Sequence, residues 1–292
     1  MSYGIEIRNS GGDLVLDEEN EVILVAEKNT IQGTRANPPL VNGSPSILGD
    51  FEHKWWDSGD NYLCCVHLVN TYEDPPIVAL RGNSGNYNVL LPTVRAYSST
   101  DVNTANIDRL LLRSSFPSAI DYIVCAGASD CPTTSKAIDA NDDYGLQIKN
   151  SSDETIFDSR WAEIISCTAV ENFPTGVDVD TTVDPNIPPP FNVSFSKTGV
   201  NVSIPSTPGA FMVNNSLSGE KAFYYGTTSG QGGEPIEDYG GGIFHPTLMQ
   251  TAEDNILATS IRVLQGQSGT AGTQYRDTEY KGPFQVLRYL GF

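Results

Sequence analysis

The chain is short of positive charge. Its 292 residues carry 17 Lys and Arg against 36 Asp and Glu, a net charge of −19. Charged residues of both signs make up only 18 %, so the acidity comes from missing bases rather than from a surplus of acids. A protein that neutralises phosphates needs clustered Lys and Arg, which argues against nucleic acid as a partner. Long apolar runs are missing too. None approaches the ~20 residues that cross a bilayer as a helix, so no membrane span is expected. The start, Met1-Ser2-Tyr3-Gly4-Ile5-Glu6, has neither a basic region nor an apolar one. No signal peptide is therefore expected, and the product should be soluble and cytosolic when made. Hydrophobic residues at 39 % suffice for a core and argue against wholesale disorder.

Residues that carry chemistry are scarce. There are three histidines, His53, His67 and His245. Ser-His-Asp catalysis needs one of them beside an activated serine. The tetrads Gly82-Asn83-Ser84-Gly85 and Gly266-Gln267-Ser268-Gly269 lack the last glycine of a G-x-S-x-G elbow and read as turns. His67, in the strand-like run Cys64 to Val69, reads as structural. The five cysteines, Cys64, Cys65, Cys125, Cys131 and Cys167, are odd in number and lack C-x2-C spacing, so buried free thiols are expected rather than a disulfide framework or a zinc site. On an extended strand Cys64 and Cys65 point to opposite faces. Two acidic stretches have oxygen ligands at calcium-like spacing: Asp139-Ala140-Asn141-Asp142-Asp143, and Asp178, Asp180 and Asp184. Neither has the glycine and distal Glu of an EF-hand, and solvated turns are the expectation. The Gly-rich run Gly226 to Gly242 has no Lys after its glycines and no helix behind it, so it is no phosphate cradle. Paired acids for glycoside cleavage find no specific signature among 36 carboxylates. No cofactor, no metal and no catalytic residue is expected.

What the chain has in quantity is strand signal. Short apolar or alternating runs recur, among them Val22 to Ala26, Tyr62 to Val69, Ile77 to Leu80, Tyr122 to Cys125, Val200 to Ile204, Ile261 to Leu264 and Phe284 to Leu290. Clusters of Gly, Asn, Asp, Ser and Pro separate them. Asn103 to Ser114 and Thr247 to Thr259 carry apolar residues at helical spacing and read either way. The expected fold is all-β, built of antiparallel sandwich-like sheets.

An internal repeat organises the chain. Residues 3–17 read YGIEIRNSGGDLVLD and residues 144–158 read YGLQIKNSSDETIFD. At a constant offset of 141, Tyr3 meets Tyr144, Ile7 meets Ile148, Asn9-Ser10 meets Asn150-Ser151 and Asp17 meets Asp158. Each copy predicts an alternating strand, a polar turn, a returning strand that ends at the Asp, and a third apolar strand: a β-meander. A Pro- and Gly-rich loop follows each copy. The expected organisation is two tandem related modules, residues 1–142 and 143–292. The second comprises a meander (143–173), a Pro-rich loop (174–190) and a β-body (191–292). A single body embraced by two meanders is the other arrangement.

The pattern Y-G-L-x-[IV]-x-N-x-x-x-x-x-[IV]-F-D-S, present as Tyr144 to Ser159, resembles a segment of structural proteins of tailed bacteriophages found at the tail tip, baseplate and tail fibre. The likeness covers two stretches of about 30 residues. The first copy departs from it, with Leu16 in place of Phe and Glu18 in place of Ser. The resemblance implies a non-enzymatic virion protein, assembled in the host cytoplasm, that binds copies of itself as a homo-oligomer and binds neighbouring tail proteins. Contact with a host surface receptor or glycan is compatible with it. The alternatives are a capsid-decoration or head-fibre protein and a glycan-binding module or glycan hydrolase on the virion. Candidate ligand-binding residues are the aromatic pair Trp55-Trp56, which either stacks on a sugar or plugs a gap against its own sheet, and Tyr224, Tyr225 and Tyr239 around the Gly-rich run. The apolar C-terminal residues 286–292 predict a final strand docked in a sheet or in an inter-subunit groove.

Overall fold

The computed structural model describes residues 7–8, 14–16, 22–33, 35–36, 40–41, 44–45, 53–57, 61–83, 87–98, 106–138, 145–150, 152–161, 163–183, 193–204, 209–213, 217–226, 239–252, 254–264 and 273–289. Among these the chain is nearly all strand, with one 3-10 turn at Thr133–Lys136 and no α-helix. None of these elements is a helix long and apolar enough to cross a membrane.

Three sheets make the body. The central one runs, in spatial order, Ser166–Asn172, Pro283–Arg288, Ala210–Val213, Ile77–Gly82, Ile120–Gly127 and Ile23–Ile31, with every neighbour antiparallel. The second runs Thr93–Tyr97, Ile107–Ser114, Tyr62–Tyr72, Trp55–Asp57 and Arg35–Ala36. The third runs Val200–Ser203, Asn255–Leu264, Tyr239–Ala252, Lys221–Gly226 and Thr273–Asp277, with Val89–Leu90 also on Tyr239–Ala252. Pro246 falls where that long strand changes neighbour, between Phe244 paired to Lys221 and Met249 paired to Leu90. A residue with no N–H is tolerated at such a break in a ladder.

The central sheet curls until the segment just ahead of one outer strand, Ser166–Asn172, reaches the other, Ile23–Ile31. Leu24 bridges Ile164, and the Val25 N–H donates to the Glu163 carbonyl at 2.9 Å. Side chains alternate across it. Val25, Ala79, Ile123, Cys125, Phe211, Val213 and Leu287 fill its inner face with Tyr289. Leu24, Leu80, Tyr122, Val124, Met212 and Val286 face outward. There they join Cys64, Val66, Leu110 and Leu112 of the second sheet and Leu248, Ile256 and Ala258 of the third in one large core. A sheet buried on both faces needs continuous apolar runs, and Ile120–Gly127 supplies one: only its last residue is less than fully buried.

Strands from both halves of the chain make up this central sheet. Three come from residues before 142 and three from residues after it. The two halves therefore share one sheet and one core. The strand Pro283–Arg288 is interior to it, paired with Ser166–Asn172 on one side and Ala210–Val213 on the other. The two runs with helical spacing are strands as well: Ile107–Ser114, and a hairpin of Tyr239–Ala252 with Asn255–Leu264. The Pro-rich loop 174–190 contains the strand Asp178–Val183, paired with Val193–Thr198, and residues 184–190 lie outside those described.

Both copies of the repeat form a hairpin. In the first, Ile7 pairs with Leu16 and Arg8 with Leu14; in the second, Ile148 pairs with Phe157 and Lys149 with Thr155. The register is the same at the 141-residue offset. So is the bulge, between Ile7 and Arg8 in one copy and between Ile148 and Lys149 in the other. In the second copy the turn is held by the Asn150 side chain, whose Oδ1 accepts from the N–H of Ser152 and of Glu154. Asp153 takes the left-handed conformation, at φ 67°, that such a turn requires and Asp tolerates.

A glycine joins two parts of the third sheet. Gly219 has φ 116°, and a Cβ there would lie 2.5 Å from the Glu279 carbonyl oxygen. Ser218 beside it exchanges two backbone bonds with Lys281. Gly219→Ala is expected to cost about 1–3 kcal/mol, the range for a side chain forced into such a backbone region. A lower denaturation midpoint with unchanged slope is the measurement.

Candidate functional site

A polar cleft opens along the strand Ile23–Ile31, beside the bridge from Leu24 and Val25 to residues 163–164. It consists of two contiguous depressions of about 320 and 210 Å³. Ala26, Glu27, Lys28 and Thr134 line both. The strand bulges here: Val124 pairs with Glu27 and Cys125 with Val25, which leaves Ala26 extra. A bulge re-aims the side chains that follow, and Glu27 and Lys28 follow directly.

Glu27 ties the strand to the second sheet. Its carboxylate accepts from the N–H groups of Val69 (2.9 Å) and Asn70 (2.8 Å), from the Asn70 amide (3.2 Å) and from the Tyr72 hydroxyl (2.9 Å). Burial pushes the Tyr72 phenol up, and the Glu27 charge adds to it. Lys28 clasps the seam of the central sheet. Its ammonium donates to Glu163 at 3.1 Å and to the Tyr289 hydroxyl, and the Tyr289 hydroxyl donates to Glu163. Burial, and then the bond to Glu163, hold the Tyr289 phenol well above its usual range.

His53 closes one wall. It sits at φ 61°, uncommon for a residue with a Cβ. Its carbonyl accepts from the Gln32 N–H at 3.0 Å, and its Nε2 lies 2.8 Å from the Tyr122 hydroxyl. The two rings stack, with 15° between their planes. His67, Val69, Asn70, Pro132 and Thr134 line the same depression.

No protein-family model, no curated protein and no solved structure matches this chain.

The residues singled out from sequence lie elsewhere. Trp55 and Trp56 are on a strand, not in a loop. Trp55 has no exposed surface, and its indole N–H donates to the Ser118 carbonyl at 2.8 Å. Trp56 faces the other side and packs with Cys65, Leu63 and Tyr97. Of the two roles considered for the pair, plugging the space beside their own sheet is the one that these positions describe, since a ring without exposed surface offers no face to a sugar. Tyr224 and Tyr225 lie on Lys221–Gly226, in register with Gly241 and Gly240, and Tyr239 is in register with Gly226. Residues 227–238 between them lie outside those described. Of the acidic stretches, residues 139–143 and Asp184 lie outside the described residues, while Asp178 is paired with Lys221. That contact holds the Asp178 carboxyl below the usual range. Among the described residues no cluster of three His, Cys, Asp or Glu could hold a metal.

None of the five cysteines is in a disulfide. Cys64 joins the large core and Cys65 the small cluster behind it, on opposite faces. Burial pushes the Cys64 thiol up to about 12. Cys167 departs from the expected burial and is exposed. His245 lies 3.5 Å from Glu220, and burial draws its pKa below the usual value.

The Asp that ends each repeat copy has a defined role in the second. Asp158 is fully buried and accepts from the Arg160 N–H (3.0 Å), from the Arg160 guanidinium at Nε (2.8 Å) and Nη2 (2.5 Å), and from Gln147 (3.3 Å). The Arg160 bonds hold its carboxyl below the usual carboxylate range. A depressed carboxyl gives stability that is complete above its unfolded pKa of about 3.9 and is lost as pH falls through the lower folded value. Amide protection within residues 147–158, taken relative to the intrinsic exchange rate at each pH, is therefore expected to fall below about pH 4. Arg160→Met should remove most of that pH dependence.

Sequence reading missed the cleft. One signal was present: Glu27-Lys28 interrupts the apolar run that starts at Val22. Nothing local indicated that His53, His67 and Tyr122 converge on it.

Proposed function

We propose that this chain is a non-enzymatic structural protein of a bacteriophage tail, at the tip, baseplate or fibre region, that works by β-mediated assembly into a homo-oligomer and with neighbouring tail proteins. The observation that carries the reading is the hairpin used twice. Two stretches 141 residues apart share sequence, strand register and bulge, and the sequence pattern of the second resembles that of tail structural proteins. A small hairpin kept in one geometry at two places suits a repeated docking element, because a two-stranded unit is marginal on its own and gains stability from what it packs against. The exposed edge of the multi-sheet body supports the reading as well. Ser166–Asn172 is an outer strand of the central sheet with Val170 61 % exposed, an apolar side chain open to a neighbour.

Sedimentation of the purified chain, together with a density map of the particle, tests the proposal. A defined oligomer and density for the chain in the tail are expected. A strict monomer that the particle lacks would defeat it. Density on the head would move the chain to the capsid-decoration class.

A further inference from the structure

We propose that Lys197 and Ser260 hold a phosphate or sulfate group where the hairpin of Asp178–Val183 and Val193–Thr198 lies on the third sheet. Aromatic contact seats that hairpin. The rings of Phe195 and Phe244 are 4.9 Å apart, and Val179 is buried with them. Phe244 stands opposite Arg262 in register, and Pro246 opposite Ser260, one step along the same face. Two cations converge on the two rings. The Lys197 ammonium lies 5.6 Å from the centroid of Phe244, and the Arg262 guanidinium 5.1 Å from that of Phe195. Burial, and then the Arg262 charge, draw the Lys197 pKa below its usual value. Like charges held together in this way favour an anion beside them.

The chain gives Lys197 no such anion. Its ammonium donates to the Ser260 carbonyl at 3.0 Å and, among the described residues, makes no ion pair. This is so in a protein with 36 Asp and Glu. Lys221 shows the contrast: it stands in register with Phe244 on the next strand and is paired with Asp178. An ammonium has three donors, so two are left for a ligand, and Lys197 keeps surface open to solvent. The Ser260 hydroxyl points the same way. Ser260 is 1 % exposed, and its Oγ has no hydrogen-bond partner. A buried hydroxyl left without one costs free energy. Lys197 is bonded to the carbonyl of that same residue, and its flexible stem can swing to admit an ion. A tetrahedral oxyanion presents acceptor oxygens in several directions, so it takes a hydroxyl and an ammonium together, with a guanidinium nearby. The inference stands apart from the assembly reading, since either holds without the other.

Inorganic phosphate and methyl phosphate, titrated into the full chain at constant ionic strength with chloride as the control, test it. The readouts are titration calorimetry and the carbon-13 shift of the lysine Cε, assigned to Lys197 by its loss in Lys197→Met. A saturable shift with phosphate and none with chloride are expected. Equal binding of methyl phosphate identifies a group carried on a larger molecule, and binding of the inorganic ion alone identifies the free ion; both support the proposal. Lys197→Met is expected to weaken binding by about tenfold or more, the scale of one lost charge-assisted bond. Ser260→Ala removes a hydroxyl without a partner, so the melting temperature should not fall, while binding weakens by about fivefold. If Ser260→Ala melts early, Lys197→Met at its exposed position carries the test. Three outcomes overturn the proposal: no saturable response to either phosphate, an equal response to chloride, or affinity undiminished in a folded variant.

Discussion

Trp55→Ala is expected to destabilise the protein by about 3–5 kcal/mol, the cost of truncating a large aromatic in a packed core. The residue is the largest of the fully buried side chains. It stands on the short strand Trp55–Asp57 of the second sheet. Its indole N–H reaches the Ser118 carbonyl, just ahead of the central strand Ile120–Gly127. The substitution therefore removes packing and also leaves that carbonyl without its donor, a further ~1 kcal/mol or more. Typical domains have only about 5–15 kcal/mol in total, so the variant should unfold at much lower urea. Trp55→Phe should cost less, because most of the volume stays and only the indole bond is lost. Trp56→Ala should also cost less, since its cluster behind the second sheet is small. A Trp55→Ala protein with unchanged stability would overturn the assignment of the ring to the core.

The repeat was legible because everything that defines it is local. The alternation from Leu146 to Ile148, the turn residues Asn150 to Asp153 and the closing Asp158 lie within one hairpin, and short-range chemistry fixes its register. Strand class was legible for the same reason. The helical alternative for Thr247 to Thr259 arose from a coincidence of periods. Residues four apart share a face on a helix, but they also share a face on a strand, because two divides four. Leu248 and Ile256 are both buried on one hairpin, with Leu248 paired to Ala258 and Ile256 to Gln250. The pairing of Ala252 with Asn255 settles the matter in three dimensions, and the sequence there carries no glycine or proline that would have announced a reversal.

Strand order was not legible. Met212 pairs with Leu80, and Cys167 with Leu287. Nothing in either short segment names its partner across more than a hundred residues, because backbone ladders look alike and only packing of the assembled core selects among them. The same holds for the cleft. His53 and Tyr122 meet only because the central sheet curls and the second sheet folds over its outer face. The sequence division at 142/143 follows the repeat, whereas the core follows the pairing, and the two need not coincide.

Asp121→Ala is expected to cost about 3–5 kcal/mol, as removing one partner of a buried ion pair does. Asp121 lies on the inner face of the central sheet with its side chain 1 % exposed. It accepts from Arg81 Nε at 3.0 Å, from the Thr30 hydroxyl at 2.7 Å and from the Asn83 amide at 2.7 Å. Arg81 and Thr30 are its register partners on the two adjacent strands, so one carboxylate staples three strands. Arg81 also lies over the Phe211 ring, 4.6 Å from its centroid, which ties the staple to a fourth. Removing the carboxylate strands a guanidinium whose side chain is only 15 % exposed, along with two neutral donors. Arg81→Met alone leaves the opposite charge buried but keeps the Thr30 and Asn83 bonds to it, so it should cost less. The double variant Asp121→Ala, Arg81→Met should then recover part of the loss, with a coupling of about 1–3 kcal/mol in the cycle. Urea unfolding of the four proteins measures it. Strict additivity would mean that the curl of the sheet is held by its apolar filling alone, and that the ion pair only occupies the space at its end.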